Sequence, residues 1–354
     1  MAESFPMYRA KGSPRELGRQ HGEQARERIV AFVDSLAEGL ELSRNQLHAR
    51  AMRFKPLFER GCPHLDEEIA GLADGAGIPP AEGLAVNLRG EIAQVSDGGC
   101  TTYALGPSVT ADGEVLTGQN ADMPAGTADF AYVLRLEPDD GPVMLMWTFG
   151  GMIGYHGINS AGVSQFTNSL GGGPAWRFAL SHYPLKRMML ECRTTDEVVE
   201  LVNRLPVCSS GNYVLTDAGW NMIDVEITPE GATLMEDSGK GYIAHSNHFL
   251  CGPHACQANY DASLPDSFPR LERMEALFDE KAGKLTLDDV KAVLSDHGTP
   301  PAHICRHPHD GFGDAGLPNT GHTAASLIAE PAQGRLHIAY QNPCENDYAV
   351  YSLS

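Results

Sequence analysis

The pattern of apolar residues predicts an α+β chain in which two antiparallel sheets lie between helical layers. Three observations lead there. The first 99 of the 354 residues read as helix, with apolar positions at helical spacing. After Cys100 the pattern changes to short alternating runs separated by tight turns, which is the signature of paired strands. Helical stretches then recur in blocks rather than after every strand, which argues against a parallel sheet with helical crossovers.

Taken in order, Ser13-Pro14 supplies a capping hydroxyl and a first-turn proline, a good helix start. From there Leu17, Ile29, Phe32, Val33 and Leu36 fall on one face. Further helices are expected over 46–58, over 63–73 with Gly75 just after, and over 80–93. Strands are expected over 101–105, 114–118, 131–136, 143–149 and 163–168, with turns at Ala111-Asp112-Gly113 and Pro138-Asp139-Asp140-Gly141. Two helices follow over 181–191 and 196–205, then strands over 212–217, 220–227, 232–237 and 242–246. Helices over 268–281 and 287–296 precede closing strands over 323–329, 335–340 and 348–353.

A net charge of −20, from 46 acidic and 26 basic residues, disfavours phosphate backbones and anionic lipid as partners. No secretory signal pattern opens the chain, and no run of about eighteen apolar residues exists to span a membrane. The eight cysteines, spread over so long a chain, read as reduced thiols, so the expected location is the cytoplasm.

Cys100 sits in Ser96-Asp97-Gly98-Gly99-Cys100-Thr101-Thr102-Tyr103, at the boundary between the helical and the strand-forming text. A potential nucleophile at such a boundary suggests that the chain is cut there and that Cys100 becomes a new N-terminus. Its freed α-amine, with an ordinary pKa of about 7.7 to 8, would then serve as the base. Self-cleavage requires the thiol to attack the Gly99 carbonyl, and glycine best tolerates the strained backbone this involves. The bland alternative is a turn glycine pair before a buried, inert thiol.

Gly99-Cys100-Thr101-Thr102, Gly118-Gln119-Asn120-Ala121-Asp122 and His245-Ser246-Asn247-His248-Phe249 together resemble the acyl-coenzyme A:isopenicillin N acyltransferases and their autoproteolytic amidohydrolase relatives, which are N-terminal nucleophile hydrolases. The opening Glu16-Leu17-Gly18-Arg19-Gln20-His21-Gly22 and the turn Gly157-Ile158-Asn159-Ser160-Ala161-Gly162-Val163 extend the resemblance nearly end to end. It implies a four-layer αββα sandwich. It implies a cut between Gly99 and Cys100 into a small helical chain, 1–99, and a catalytic chain, 100–354, that stay together as one unit. It also implies Cys100, Asp122 and Asn247 as catalytic residues, with the Asn247 amide as an oxyanion donor. Thr101, Asn120, Tyr155 and Arg306 are the expected substrate-binding positions, and Met152, Ile153 and Trp176 further guesses at the pocket wall. Ala121 departs from relatives, which often carry a large aromatic there. Read without the resemblance, Asp122 is a turn carboxylate, Asn247 a cap, Asn120 structural and Arg306 half of a surface ion pair.

The expected reaction is cleavage of a small N-acyl amide through a thioester, without a cofactor. The alternative is an acyltransferase that passes the acyl group, for example from acyl-coenzyme A, to an amine. A homo-oligomer is compatible with either. A third reading, an uncut metal-binding or structural protein, rests on two runs: His245, His248, Cys251, His254, Cys256, and His303, Cys305, His307, His309. Neither run has a recognised zinc spacing, so no metal is expected. Gly171-Gly172-Gly173-Pro174 lacks the following Lys-Ser or Lys-Thr of a phosphate loop, and Ser209-Ser210-Gly211 lacks the Gly-x-Ser-x-Gly of a hydrolase elbow.

Overall fold

The computed structural model describes residues 3–93, 99–255, 266–307 and 321–354. Ser96, Asp97 and Gly98 of the cysteine motif, together with Cys256 and His309, lie outside the described residues.

The N-terminal region holds β1 (Met7–Gly12), α1 (Pro14–Gln24), α2 (Arg26–Gly39), α3 (Arg44–Met52), α4 (Lys55–Gly61), α5 (Pro63–Ala76), α6 (Pro80–Val86) and α7 (Arg89–Ala93). The expected helix over 46–58 is two helices, because Pro56, in the first turn of α4, has no N–H to give to the preceding turn. The helix expected over 80–93 also divides. Asn87 at the break donates its side-chain amide to the Gly83 and Gly151 carbonyls and accepts from the Ile153 N–H, which competes with helical bonding.

Gly75 does not stop α5. That helix runs on to Ala76, and Gly77, in the left-handed region at φ 70°, caps it. Gly75 is needed for another reason. A Cβ on it would lie 2.1 Å from the Arg19 carbonyl oxygen of α1, and one on Gly22 would lie 2.3 Å from that of Leu72. Two helices therefore touch backbone to backbone through paired glycines.

The remaining elements are β2 (Cys100–Leu105), β3 (Leu116–Met123), β4 (Ala131–Pro138), β5 (Met144–Phe149), β6 (His156–Asn159), β7 (Ser164–Ser169), α8 (His182–Met189), α9 (Thr195–Arg204), β8 (Gly211–Thr216), β9 (Met222–Thr228), β10 (Gly231–Glu236), β11 (Tyr242–His245), α10 (Ser267–Glu280), α11 (Leu287–Leu294), β12 (His322–Glu330), β13 (Arg335–Tyr340) and β14 (Tyr348–Ser352). They form an eight-stranded sheet, β1-β4-β5-β6-β7-β8-β9-β10, and a six-stranded sheet, β11-β2-β3-β12-β13-β14. The pairs are antiparallel, as expected, except that β1 runs parallel to β4, Met7 opposite Val133. The N-terminal region is thus not purely helical: it gives the larger sheet its edge strand.

The two sheets face each other through β2 and β3 against β7 and β8. Helices α1 and α9 cover the outer face of the larger sheet, and α10 and α11 that of the smaller. This is the αββα order that the resemblance implies. One core lies under the N-terminal helices, around Leu17, Ile29, Leu72, Trp147 and Phe149, all 1% exposed or less. A second, around Tyr103, Met274, Phe278 and Leu294, seals α10 and α11 to the smaller sheet. Among the described residues no helix is long and apolar enough to cross a membrane, and the cysteines are unpaired.

Candidate active site

Cys100 is the first residue of β2, opposite Ala121 in β3, and its strand has two different faces. Thr102 points between the sheets, where its hydroxyl donates to Asn168 Oδ1 of β7 at 2.5 Å. Thr101 points outward, where its hydroxyl accepts from Arg270 Nη1 of α10 at 2.8 Å. Cys100 lies where these environments meet.

The outward side is a charged cluster. The Cys100 backbone N–H donates to Asn247 Oδ1 at 3.0 Å. Arg270 donates to that same oxygen at 2.6 Å, to the Cys100 carbonyl at 2.7 Å, and through Nε to Asp266 Oδ2 at 2.7 Å. Arg306 faces Asp122 Oδ2 at 3.6 Å and Asp266 Oδ2 at 3.5 Å. Thr323 donates to the other oxygen of Asp122 at 2.8 Å. The structure thus brings Cys100, Asp122 and Asn247 together. Burial raises the Asp122 carboxyl to about 6 against the pull of Arg306 and Arg270.

Gly99 belongs to this cluster by contact. A Cβ there would lie 2.1 Å from Arg306 Nη1, so the position has no room for a side chain. That packing constraint is a more direct reason for glycine than tolerance of a strained backbone.

The inward side is a pocket. Cys100 lines it together with Tyr155 just before β6, His156 of β6, Asn168 of β7, Tyr183 and Lys186 of α8, and Trp176 at its wall. Tyr155 and Trp176 thus both line this pocket. Thr101, Asn120 and Arg306 do not line this pocket. Asn120 instead donates to the Leu294 and Ile304 carbonyls at 2.8 and 2.9 Å, tying β3 to the end of α11. Arg306, 2% exposed, is not half of a surface ion pair. Met152 and Ile153 are buried in the core beside α2 and α5.

Lys186 was not anticipated from the sequence. It is 6% exposed, and its ammonium lies over the Tyr155 ring, 4.2 Å from the centroid. Burial lowers it to about 7, while the nearby Cys100 thiolate would raise it. Burial and then Asp122 push the Cys100 thiol up to about 12. The thiol is therefore protonated at neutrality, and a nucleophilic role would need a base beside it.

Two asparagines present side-chain amides beside Cys100. Asn247 Nδ2 donates to the Ser169 carbonyl at 2.9 Å and to its hydroxyl at 3.3 Å. Asn168 Nδ2, on the pocket wall, has no hydrogen-bond partner among the described residues. A buried amide N–H left without a partner is costly and is the kind of donor a developing negative charge would satisfy.

The pattern that could have revealed Arg270 is its position on the apolar stripe of α10, with Ser267, Leu271, Met274 and Phe278. An arginine on a buried helix face must have partners. Lys186 and Arg187, both buried within the apolar run of α8, carry the same signal.

The first histidine run is absorbed by hydrogen bonds. His245 reaches Glu226 at 3.1 Å, His248 reaches the Ser267 hydroxyl at 2.8 Å, and the Cys251 thiol donates to Glu226 at 3.0 Å.

The family described as acyl-coenzyme A:6-aminopenicillanic acid acyl-transferase matches residues 109–345. The 40 kDa form of acyl-coenzyme A:6-aminopenicillanic-acid-acyltransferase from Emericella nidulans is 28% identical over 312 residues, 85% of this chain and 84% of that one. Among solved structures, a variant of conjugated bile acid hydrolase from Clostridium perfringens has a TM-score of 0.49 at 14% identity, over 72% of this chain and 97% of that one. Penicillin V acylase from Agrobacterium tumefaciens has a TM-score of 0.48 at 12% identity, over 68% of this chain and 83% of that one. With a family match over two thirds of its length, carried by the segment that holds Asp122, Asn247 and Arg270, the chain belongs to the acyl-coenzyme A:6-aminopenicillanic acid acyl-transferase family.

Proposed function

We propose that this chain is a self-activating cysteine amidohydrolase acting on a small N-acyl compound. The observation that carries the reading is the position of Cys100: its thiol lines a pocket, and its backbone nitrogen is held by Asn247 Oδ1.

In activation the Cys100 thiol attacks the Gly99 carbonyl, and the acyl group moves from nitrogen to sulfur as the C–N bond breaks. The freed amine takes the thiol proton, and water then hydrolyses the thioester to leave a carboxylate on Gly99. The new α-amine stays beside Asn247 and becomes the base that the buried thiol lacks. In turnover it accepts the thiol proton, and the sulfur attacks the substrate carbonyl. Asn247 and Asn168 stabilise the oxyanion, the leaving amine takes the proton back, and water clears the acyl group. Asp122 and the two arginines hold the cysteine backbone in place. The rings of Tyr155, Tyr183 and Trp176 suit an apolar or aromatic acyl group, with Lys186 facing a polar substituent.

The segments 1–99 and 100–354 would remain one unit after the cut, since β1 pairs with β4 and Glu68 pairs with Arg187 at 2.7 Å across them. A reducing cytoplasm suits a free nucleophilic thiol. The family match favours a second reading, in which an amine rather than water receives the acyl group.

Intact mass under denaturing conditions, for the native chain and Cys100→Ala, tests the proposal. Two fragments split between Gly99 and Cys100 in the native protein, and one chain in the variant, are expected. A single full-length native chain with no amine release from an N-acyl substrate panel overturns it. Adding a competing amine to the same assay separates hydrolysis from transfer.

A further inference from the structure

Outside the active site, four soft or borderline ligands from three chain segments converge. They are His297 just beyond α11, Cys305 and His307 before β12, and Cys344 in the turn between β13 and β14. Their candidate ligand atoms all lie within 4.8 Å of one another. His297 Nε2 is 3.1 Å from His307 Nε2, and Cys305 Sγ is 3.6 Å from Cys344 Sγ. His307 Nε2 is 3.9 Å from Cys305 Sγ and 3.2 Å from Cys344 Sγ.

Zinc–sulfur bonds of about 2.3 Å and zinc–nitrogen bonds of about 2.0–2.1 Å at tetrahedral angles put neighbouring ligand atoms roughly 3.4–3.8 Å apart. The four separations bracket that range, and a Cys2His2 set is the donor chemistry of closed, structural zinc sites. We propose that His297, Cys305, His307 and Cys344 bind a structural zinc ion.

The surroundings are those of a built site. His307 Nδ1, the nitrogen away from the cluster, faces Glu345 at 3.9 Å, and Asn342 Nδ2 donates to Cys305 Sγ at 3.3 Å. The Asp296 carbonyl, next to His297, accepts from the Ile304 and Cys305 N–H groups at 3.1 and 2.9 Å. Of the second histidine run in the sequence, His303 is not in the group, while His297 and Cys344 come from outside that run. Spacing alone could not assemble this set.

The site has a consequence for the active centre. Arg306 lies between two of the ligands, and its guanidinium faces Asp122 and Asp266 beside Gly99. Asn342 Nδ2 also donates to the Arg306 carbonyl at 2.7 Å. Zinc would displace the two thiol protons to solvent and cross-link the end of α11, the Arg306 segment and the β13–β14 turn. It thereby fixes a positioning arginine from behind.

The test is zinc content of the full chain, purified without a histidine tag and dialysed against a weak chelator. About one zinc per chain is expected in the native protein and in Cys100→Ala, with a roughly tenfold or greater loss in Cys344→Ser and His297→Ala. Cys344 and His297 are both exposed, so these variants are expected to fold. Cobalt added in place of zinc should give thiolate-to-metal absorption in the native chain and in Cys100→Ala, and much less in Cys344→Ser. Native zinc no higher than in Cys344→Ser overturns the proposal, as does a non-reducing digest in which the Cys305 and Cys344 peptides are joined by a disulfide. Because Cys100→Ala is read in the same assay, this outcome is independent of whether the chain is an amidohydrolase.

Discussion

Asn247 Oδ1 accepts a hydrogen bond from the Cys100 backbone nitrogen at 3.0 Å. In the proposed mechanism the same oxygen would hold the α-amine after the cut. Arg270 secures it from the other side at 2.6 Å. The site is organised around the nitrogen as much as around the sulfur.

Gly99→Ala should block activation without unfolding the chain. A Cβ at that position meets Arg306 Nη1 at 2.1 Å and Arg270 Nη2 at 3.2 Å, so either the arginines or the scissile carbonyl must move. A displacement of that size costs roughly a hundredfold in rate. The fraction of cut chain against time, read by denaturing mass spectrometry, checks this; cleavage at the native rate would contradict it.

Lys186→Met should stabilise the protein near neutrality by on the order of 3 kcal/mol. Burial lowers the lysine from 10.5 to about 7, so between those values the unfolded chain binds the extra proton. Native stability then rises with pH through this window and bears the full cost of the buried charge below about 7. Melting temperatures of native and variant chains should differ most below pH about 7 and converge toward 10.5. A constant difference across the range would show that the amine is not what the substitution relieves.

Glu68→Gln should lower stability by about 3–5 kcal/mol, because it leaves Arg187 buried without its carboxylate at 2.7 Å. Glu191, 3.2 Å from Arg187 Nε and half-buried, compensates only in part. Replacing Glu68 and Arg187 together by methionine should recover much of the loss. Urea midpoints measure both; an unchanged midpoint in the single variant would mean that the pair contributes nothing net.

The layer order was legible because turns and alternation mark strands wherever a sheet has one apolar face, and the fourteen strands among the described residues leave many such marks. Two strands escaped. Met7–Gly12 is short and rich in charge, and it pairs parallel with a strand more than a hundred residues away, which no local pattern reports. His156–Asn159 is only four residues long and merges with the turn that follows. Cys100 and its motif neighbours could be read from sequence because they sit close together along the chain or in recognisable strings. Arg270 and Lys186 were marked only by their place on buried helix faces, and Asn168 not at all, since its place depends on the packing of one sheet on the other. Arg306 was found but given the wrong surroundings, because spacing says nothing about burial.

The two faces of β2 divide the labour of the centre between two halves of the molecule. The groups that hold the cysteine backbone come from α10 and the loop after β11, whereas the pocket walls come mostly from the larger sheet, α8 and the loops beside them. Mutations that reshape the walls need not disturb the machinery behind the nucleophile. A lineage built this way can change the acyl compound its pocket admits while keeping the residues that hold Cys100 in place.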